Sequence, residues 1–99
     1  MDAYDIEYTD EAFDDLGWFK KHEQREVLDG INQNLQHEPE KLTRNRFPMR
    51  PNQTADWELR IGRFRVFYDV DQAARLVLIV AIGRKEGNKV YIQGEGGEL

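Results

Sequence analysis

One stretch, WELRIGRFRVFYDVD from Trp57 to Asp71, constrains the fold more than any other part of the chain. Trp57, Leu59 and Ile61 alternate with Glu58 and Arg60. After Gly62-Arg63, Phe64, Val66 and Tyr68 alternate with Arg65, Phe67 and Asp69. Two runs of period two joined by a Gly-X pair predict a β-hairpin, with glycine supplying the positive φ of a type II′ turn. In that register Ile61 faces Phe64, Arg60 faces Arg65 and Leu59 faces Val66. The apolar pairs then share one face and the two arginines the other. Like charges directly opposite one another are destabilising, so a chain that keeps such a pair is expected to hold an anion against it. Trp57, Phe64 and Tyr68 share the apolar face and read as core, whereas Phe67 falls on the arginine side.

A hairpin with one apolar face needs a covering layer, and the N-terminal half supplies it. In YDIEY, Tyr4, Ile6 and Tyr8 alternate with Asp5 and Glu7 and predict a first strand. Thr9 fits a helix N-cap, and Asp10 and Glu11 suit the positive end of the helix dipole. Phe13, Leu16 and Phe19 predict an apolar stripe facing the core, with Gly17 as its weak point. Beyond a turn near Lys21-His22, the spacing of Val27, Leu28, Ile31 and Leu35 predicts a second helix that ends by Pro39. Residues 38–56, EPEKLTRNRFPMRPNQTAD, contain three prolines and no periodicity. A connection of that length in a compact domain is often functional. VDQAAR predicts a turn, LVLIVAI a strand buried on both faces, and GRKEGNKVYI its continuation. Residues from about 93 to 99 read as a flexible tail. The expectation is a single domain over residues 1–99 of the α+β class. Its order is β-α-α-β-β-β, a twisted, mainly antiparallel sheet with an N-terminal helical hairpin packed on it.

Several classes of function are excluded on composition. Without cysteine there is no disulfide, thiolate metal site or cysteine nucleophile. His22 and His37 lie near helix ends without metal-ligand spacing and read as surface or capping residues, so neither a metal nor a cofactor is predicted. The first ten residues lack an apolar core, and the longest apolar run, Leu76 to Ile82, is too short to span a bilayer. A cytoplasmic protein with no membrane partner is expected. The net charge of −5 is unevenly spread. Residues 1–40 hold twelve acidic and three basic residues, whereas residues 41–65 hold seven basic and two acidic ones. The basic segment predicts a local anionic partner, and the acidic remainder opposes non-specific nucleic-acid binding.

The element order, with LRIGRFRVFYDVD followed by VLIVAIGRKEGNKVY, resembles the RelE/ParE superfamily of bacterial type II toxins. The resemblance covers nearly the whole chain in element order and is specific over Trp57 to Tyr91. It implies a small toxin neutralised by a cognate antitoxin in a hetero-oligomer. RelE-like members cut mRNA in the ribosomal A site; ParE-like members poison DNA gyrase and lack the nuclease residues. The RelE-like reading makes the chain a metal-independent endoribonuclease that inhibits translation. The alternatives are a gyrase inhibitor or a toxin-fold module that only binds a partner.

Metal-free cleavage of RNA needs a base for the 2′-hydroxyl proton, cations for the scissile phosphate, an acid for the leaving 5′-oxygen and a group to orient a nucleobase. The resemblance places Arg65 at the family's arginine after the hairpin turn, where a guanidinium holds phosphate oxygens bidentately. Arg60 matches a second basic position. Glu58 stands where some members have lysine, and reads as either the base or a salt-bridge partner of the arginines. Lys85 precedes Tyr91 by the spacing of the family's basic–tyrosine pair, with Arg84 as the adjacent alternative. Tyr91 reads as a stacking group for a base or as an aromatic lid on the core. Arg63, Arg84, Lys89, Arg44, Arg46 and Arg50 complete the expected RNA-binding set. Two departures stand out: the chain is acidic overall, and Glu58 replaces a lysine.

Overall fold

A computed structural model describes residues 3–97. In chain order the elements are β1 (Asp5–Tyr8), α1 (Asp10–Leu16), α2 (Lys21–Leu35), β2 (Arg46–Pro48), β3 (Trp57–Ile61), β4 (Phe64–Asp71), β5 (Leu76–Glu86), β6 (Lys89–Ile92) and β7 (Glu95–Gly97). The sheet runs β2-β3-β4-β5-β6-β7, each pair antiparallel, and β1 joins β5 in parallel. This is the α+β arrangement that the sequence predicts, extended by the short strands β2, β6 and β7. Among the described residues no helix is long and apolar enough to cross a membrane.

The hairpin pairs as its alternation dictates: Arg60 faces Arg65, Leu59 faces Val66 and Ile61 faces Phe64. Gly62 has φ +58° and Arg63 has no positive φ, the pattern of a type II′ turn. Its apolar face meets α2, whose Val27, Ile31 and Leu35 are fully buried against Leu59, Val66 and Tyr68. Gly30 lets the helix come close. A Cβ there would lie 2.6 Å from Cδ1 of Ile61. Between β4 and β5 the register slips at Phe67/Tyr68, which leaves Val80 as an extra residue on β5. Such a bulge re-aims side chains. It turns Ile79 and Ile82, three apart, into the same core.

β1 pairs β5 only as far as Ile79, and β6 takes up its pairing at Arg84. Asp15 of α1 helps to fill the gap. Its buried carboxylate accepts from the backbone N–H of Ile82 at 2.9 Å and from Nε2 of Gln93 at 2.6 Å. The long connection is pinned beneath the core by Tyr68, whose hydroxyl donates to the carbonyl of Pro39 at 2.7 Å. Burial pushes that hydroxyl's pKa well above the ordinary tyrosine value.

Three expectations are corrected. Thr9 caps α1 by accepting from the N–H of Ala12 at 3.1 Å, but the helix stops at Leu16, and the break runs from Gly17 to Lys20 rather than at Lys21-His22. So short a helix turns Ala12, Asp15 and Leu16 inward and leaves Phe13 68% exposed, while Phe19 packs on Phe64 from beyond the helix. The connection 38–56 contains an edge strand, β2, and tolerates Pro48 because that residue lies at its end. Residues 95–97, expected as tail, pair with Val90–Ile92. Gly96 permits this, since a Cβ there would lie 2.9 Å from the Tyr91 ring. The last residues of the expected tail, 98 and 99, lie outside the described residues.

Candidate active site

Strands β3, β4 and β5 present alternate residues on the face away from α2. There Glu58 and Arg60 of β3, Arg65 of β4 and Lys85 of β5 line one cavity of about 300 Å³, completed by Asn88, Val90 and Gly97. The pairing explains the convergence. Arg60 faces Arg65, Arg65 faces Gly83, and Lys85 stands two residues beyond Gly83. Gly83 has no room for a side chain, because a Cβ would lie 2.7 Å from Cγ1 of Val90 and 2.9 Å from the carbonyl oxygen of Tyr91. The close approach of β6 helps to bury the centre of this face.

Arg65 is therefore not the solvent-facing residue that simple alternation predicts; it is 8% exposed. Its Nη1 donates to the carbonyls of Gly62 at 2.8 Å and Phe64 at 3.0 Å, within its own turn. Burial pushes its pKa down, neighbouring Arg60 adds to the effect and Glu58 opposes it. Arg60 donates through Nε to Oε2 of Glu58 at 3.0 Å, and the same oxygen lies 3.7 Å from Nε of Arg65. The guanidinium of Arg60 also sits 4.8 Å from the centre of the Phe47 ring. Within the molecule, the anion that the arginine pair requires is the largely buried carboxylate of Glu58. Lys85 is exposed at the cavity, and its backbone N–H donates to the carbonyl of Arg63 at 2.8 Å. Phe67 lies fully buried on this face with Ala55 and Ala81.

Two predicted members go elsewhere. Gly87 (φ +63°) and Asn88 form a two-residue turn that pairs Lys85 with Val90 and Arg84 with Tyr91. Arg84 and Tyr91 accordingly share the α-helical side of the sheet, in a cleft of about 400 Å³ with Trp18, Phe19 and Gln93. Arg84 is engaged there by Glu23 at 3.7 Å and Glu86 at 3.9 Å. The Gly-Asn pair was the sequence signal for this parity. Arg46 is corrected too. It is buried, and its guanidinium donates to the carbonyls of Lys41 (2.7 Å) and Asn34, so it secures the start of β2 rather than facing RNA. Arg44, Arg50, Arg63 and Lys89 are exposed. Phe47 and Met49, which line the cleft beside Arg60, went unnoticed in the sequence because β2 is too short to show a period. Among the described residues no three His, Asp or Glu side chains gather as a metal site would require.

Three cations and one carboxylate around a small cavity suit a phosphodiester: the cations balance charge on the phosphate, the carboxylate can take a proton and the ammonium can give one. No protein-family model matches the sequence, and no curated protein matches it. Solved structures do. The RelBE2 toxin–antitoxin complex of Mycobacterium tuberculosis contains a chain that superposes with a TM-score of 0.72 at 20% identity, over 86% of this chain and 94% of that one. The archaeal RelE–RelB complex of Pyrococcus horikoshii gives 0.65 at 16% identity, over 82% and 93%. The fold is that of a RelE-type toxin. On this RelE-type sheet the arginine–glutamate–lysine cavity lies opposite the helical layer.

Proposed function

We propose that this chain is the toxin of a type II toxin–antitoxin pair that cleaves mRNA at the ribosome in the cytoplasm, and so inhibits translation, without a metal or other cofactor. A cognate antitoxin neutralises it in a hetero-oligomer. The reading rests on one observation: Arg60, Arg65 and Lys85 converge with Glu58 on a single cavity of a RelE-type sheet. The scissile phosphate enters between the guanidiniums, displacing Glu58 from Arg60. The 2′-oxygen attacks phosphorus and its proton passes to Glu58. The bond from phosphorus to the 5′-oxygen breaks, and that oxygen takes a proton from Lys85. The products are a 2′,3′-cyclic phosphate and a 5′-hydroxyl. Arg60 and Arg65 hold the non-bridging oxygens as charge develops, and loss of one such donor typically costs on the order of 10²–10³ in rate. Primer extension on mRNA from induced cells tests this. New 5′ ends should appear within translated codons and vanish with Lys85→Ala and with Arg60→Ala. Cleavage unchanged in both variants would overturn the nuclease reading.

A second reading, a toxin that blocks gyrase or another partner by binding alone, is favoured by one placement. Tyr91, the aromatic that the family resemblance assigns to the substrate, lies across the sheet from the arginines. Isotope incorporation after induction separates the two. Early loss of amino-acid uptake supports cleavage; early loss of thymidine uptake with an SOS response supports gyrase.

A further inference from the structure

With Tyr91 on the other face, the phosphate cavity has a different aromatic neighbour. Glu58 and Arg60 form a wall shared with a second cleft, of about 590 Å³, whose remaining lining includes Phe47, Met49, Arg50 and Asn52. That volume falls in the roughly 300–1,000 Å³ range of small-molecule sites. Its wall carries two planar groups, with the Arg60 guanidinium carbon 4.8 Å over the centre of the Phe47 ring. Aromatic faces and arginine planes are the surfaces on which unpaired bases stack.

The cleft is held in shape by its own loop. Oδ1 of Asn52 accepts from the N–H groups of Thr54 at 2.6 Å and Ala55 at 3.0 Å, while its Nδ2 donates to the carbonyls of Arg50 at 2.7 Å and Ala55 at 3.0 Å. The N–H of Met49 donates to the carbonyl of Asp56 at 2.8 Å, and the N–H of Asp56 donates to Oδ1 of Asp69 at 2.8 Å. Pro48 and Pro51 restrict the backbone further. Asn52 is thus spent on the loop, and exposed Arg50 at the rim is left to meet a ligand. Residues 41–65, from which every lining residue of the cleft comes, hold seven basic and two acidic residues, which suits a polyanion over an apolar peptide.

We infer that the Phe47–Arg60 cleft is a nucleobase subsite, which receives one unpaired base of single-stranded RNA whose phosphate lies in the adjoining Arg65–Lys85 cavity. This rests on the nuclease reading for the phosphate and adds the base. The preformed loop limits the ordering cost of binding.

The test uses the full chain and a labelled 2′-O-methyl hexanucleotide, which has no 2′-hydroxyl to attack, together with a series in which each position in turn is abasic. Affinities are measured by anisotropy at fixed salt. In the wild type one abasic position should lose affinity by roughly 5- to 150-fold, the range of base–aromatic stacking. Phe47→Leu keeps an apolar side chain on β2 and should erase most of that step while leaving the abasic member's affinity unchanged. Arg50→Ala, at an exposed residue, should shrink the same step severalfold and serves if Phe47→Leu melts low. A flat series in the wild type, no binding of any member, or a step that survives both substitutions overturns the subsite. Lys85→Ala should weaken every member alike. If it weakens none while the abasic step persists, the phosphate assignment falls and the base subsite stands.

Discussion

Arg65 donates two hydrogen bonds to carbonyls of its own hairpin, so its removal takes away more than charge. Arg65→Ala should destabilise the fold by about 1.5–3 kcal/mol, the range for hydrogen bonds involving a charged group. Differential scanning calorimetry should show a Tm lowered by several degrees. A melt identical to wild type would mean that those bonds contribute nothing in solution. Lys85 is exposed, and Lys85→Ala should change stability by no more than about 0.5 kcal/mol. It is the cleaner probe of chemistry, whereas lost toxicity in Arg65→Ala confounds site and fold. Glu58→Gln keeps the shape and removes the charge between the arginines. If Glu58 takes the 2′-proton, cleavage should fall by about 10²–10⁴-fold, the usual contribution of a general base. Affinity for the non-cleavable hexanucleotide should rise at the same time, because an internal competitor is gone. Faster cleavage in Glu58→Gln would show that the carboxylate only occupies the anion site.

At the scale of elements, the gap in β5 pairing between β1 and β6 is closed by two side chains: the Thr9 hydroxyl donates to the carbonyl of Val80 at 3.2 Å, and Asp15 accepts from the N–H of Ile82. Asp15→Ala would strand the buried N–H of Ile82, and leaving such a donor unsatisfied costs about 1–3 kcal/mol. Asp15→Asn retains an acceptor and should recover part of that in urea denaturation. Equal losses in the two variants would place the cost in charge rather than in the hydrogen bond. Gly83→Ala tests the approach of β6. The new methyl meets a backbone oxygen as well as Val90 and Ile92, so overpacking of about 1–3 kcal/mol is expected. What the sequence revealed follows the same lines. The β3–β4 register was legible because period-two patterning and a Gly-X turn are local and agree with each other. The bulge at Val80 was not, since it depends on β1, α1 and β4 all meeting β5. The face of Tyr91 was readable only through the two-residue turn at Gly87-Asn88, and a spacing of six residues from Lys85 conceals it. Phe13 misled because helical spacing marks a stripe without fixing where the helix ends. Of the candidate site, Glu58, Arg60 and Arg65 fall on one face by strand patterning, Lys85 came from the family resemblance with Arg84 as its alternative, and the Phe47 cleft required the paired edge strand.

For the whole molecule, charge is divided along the chain. The N-terminal forty residues hold twelve of the nineteen acidic residues, and the positive segment supplies the arginines of the cavity. An RNA that approaches at large would meet a net negative protein, and on the nuclease reading the cavity's cations supply the attraction. Salt dependence follows from that. Each phosphate neutralised on a single strand contributes about −0.7 to the slope of log K against log salt. Contacts limited to Arg60, Arg65 and Lys85 neutralise between one phosphate, the scissile group alone, and about three, hence a slope between about −0.7 and −2 for the 2′-O-methyl hexanucleotide. Had Arg44, Arg63 and Lys89 joined a continuous RNA-binding surface, roughly six contacts would steepen it to about −4. Titrations from low to physiological salt decide between these, and substitution sharpens the decision. Lys85→Ala should bring the slope closer to zero by at most about 0.7, and Lys89→Ala, on the far side of the sheet, should leave it unchanged. A slope of −4 that responds to Lys89→Ala would replace the compact site with an extended interface.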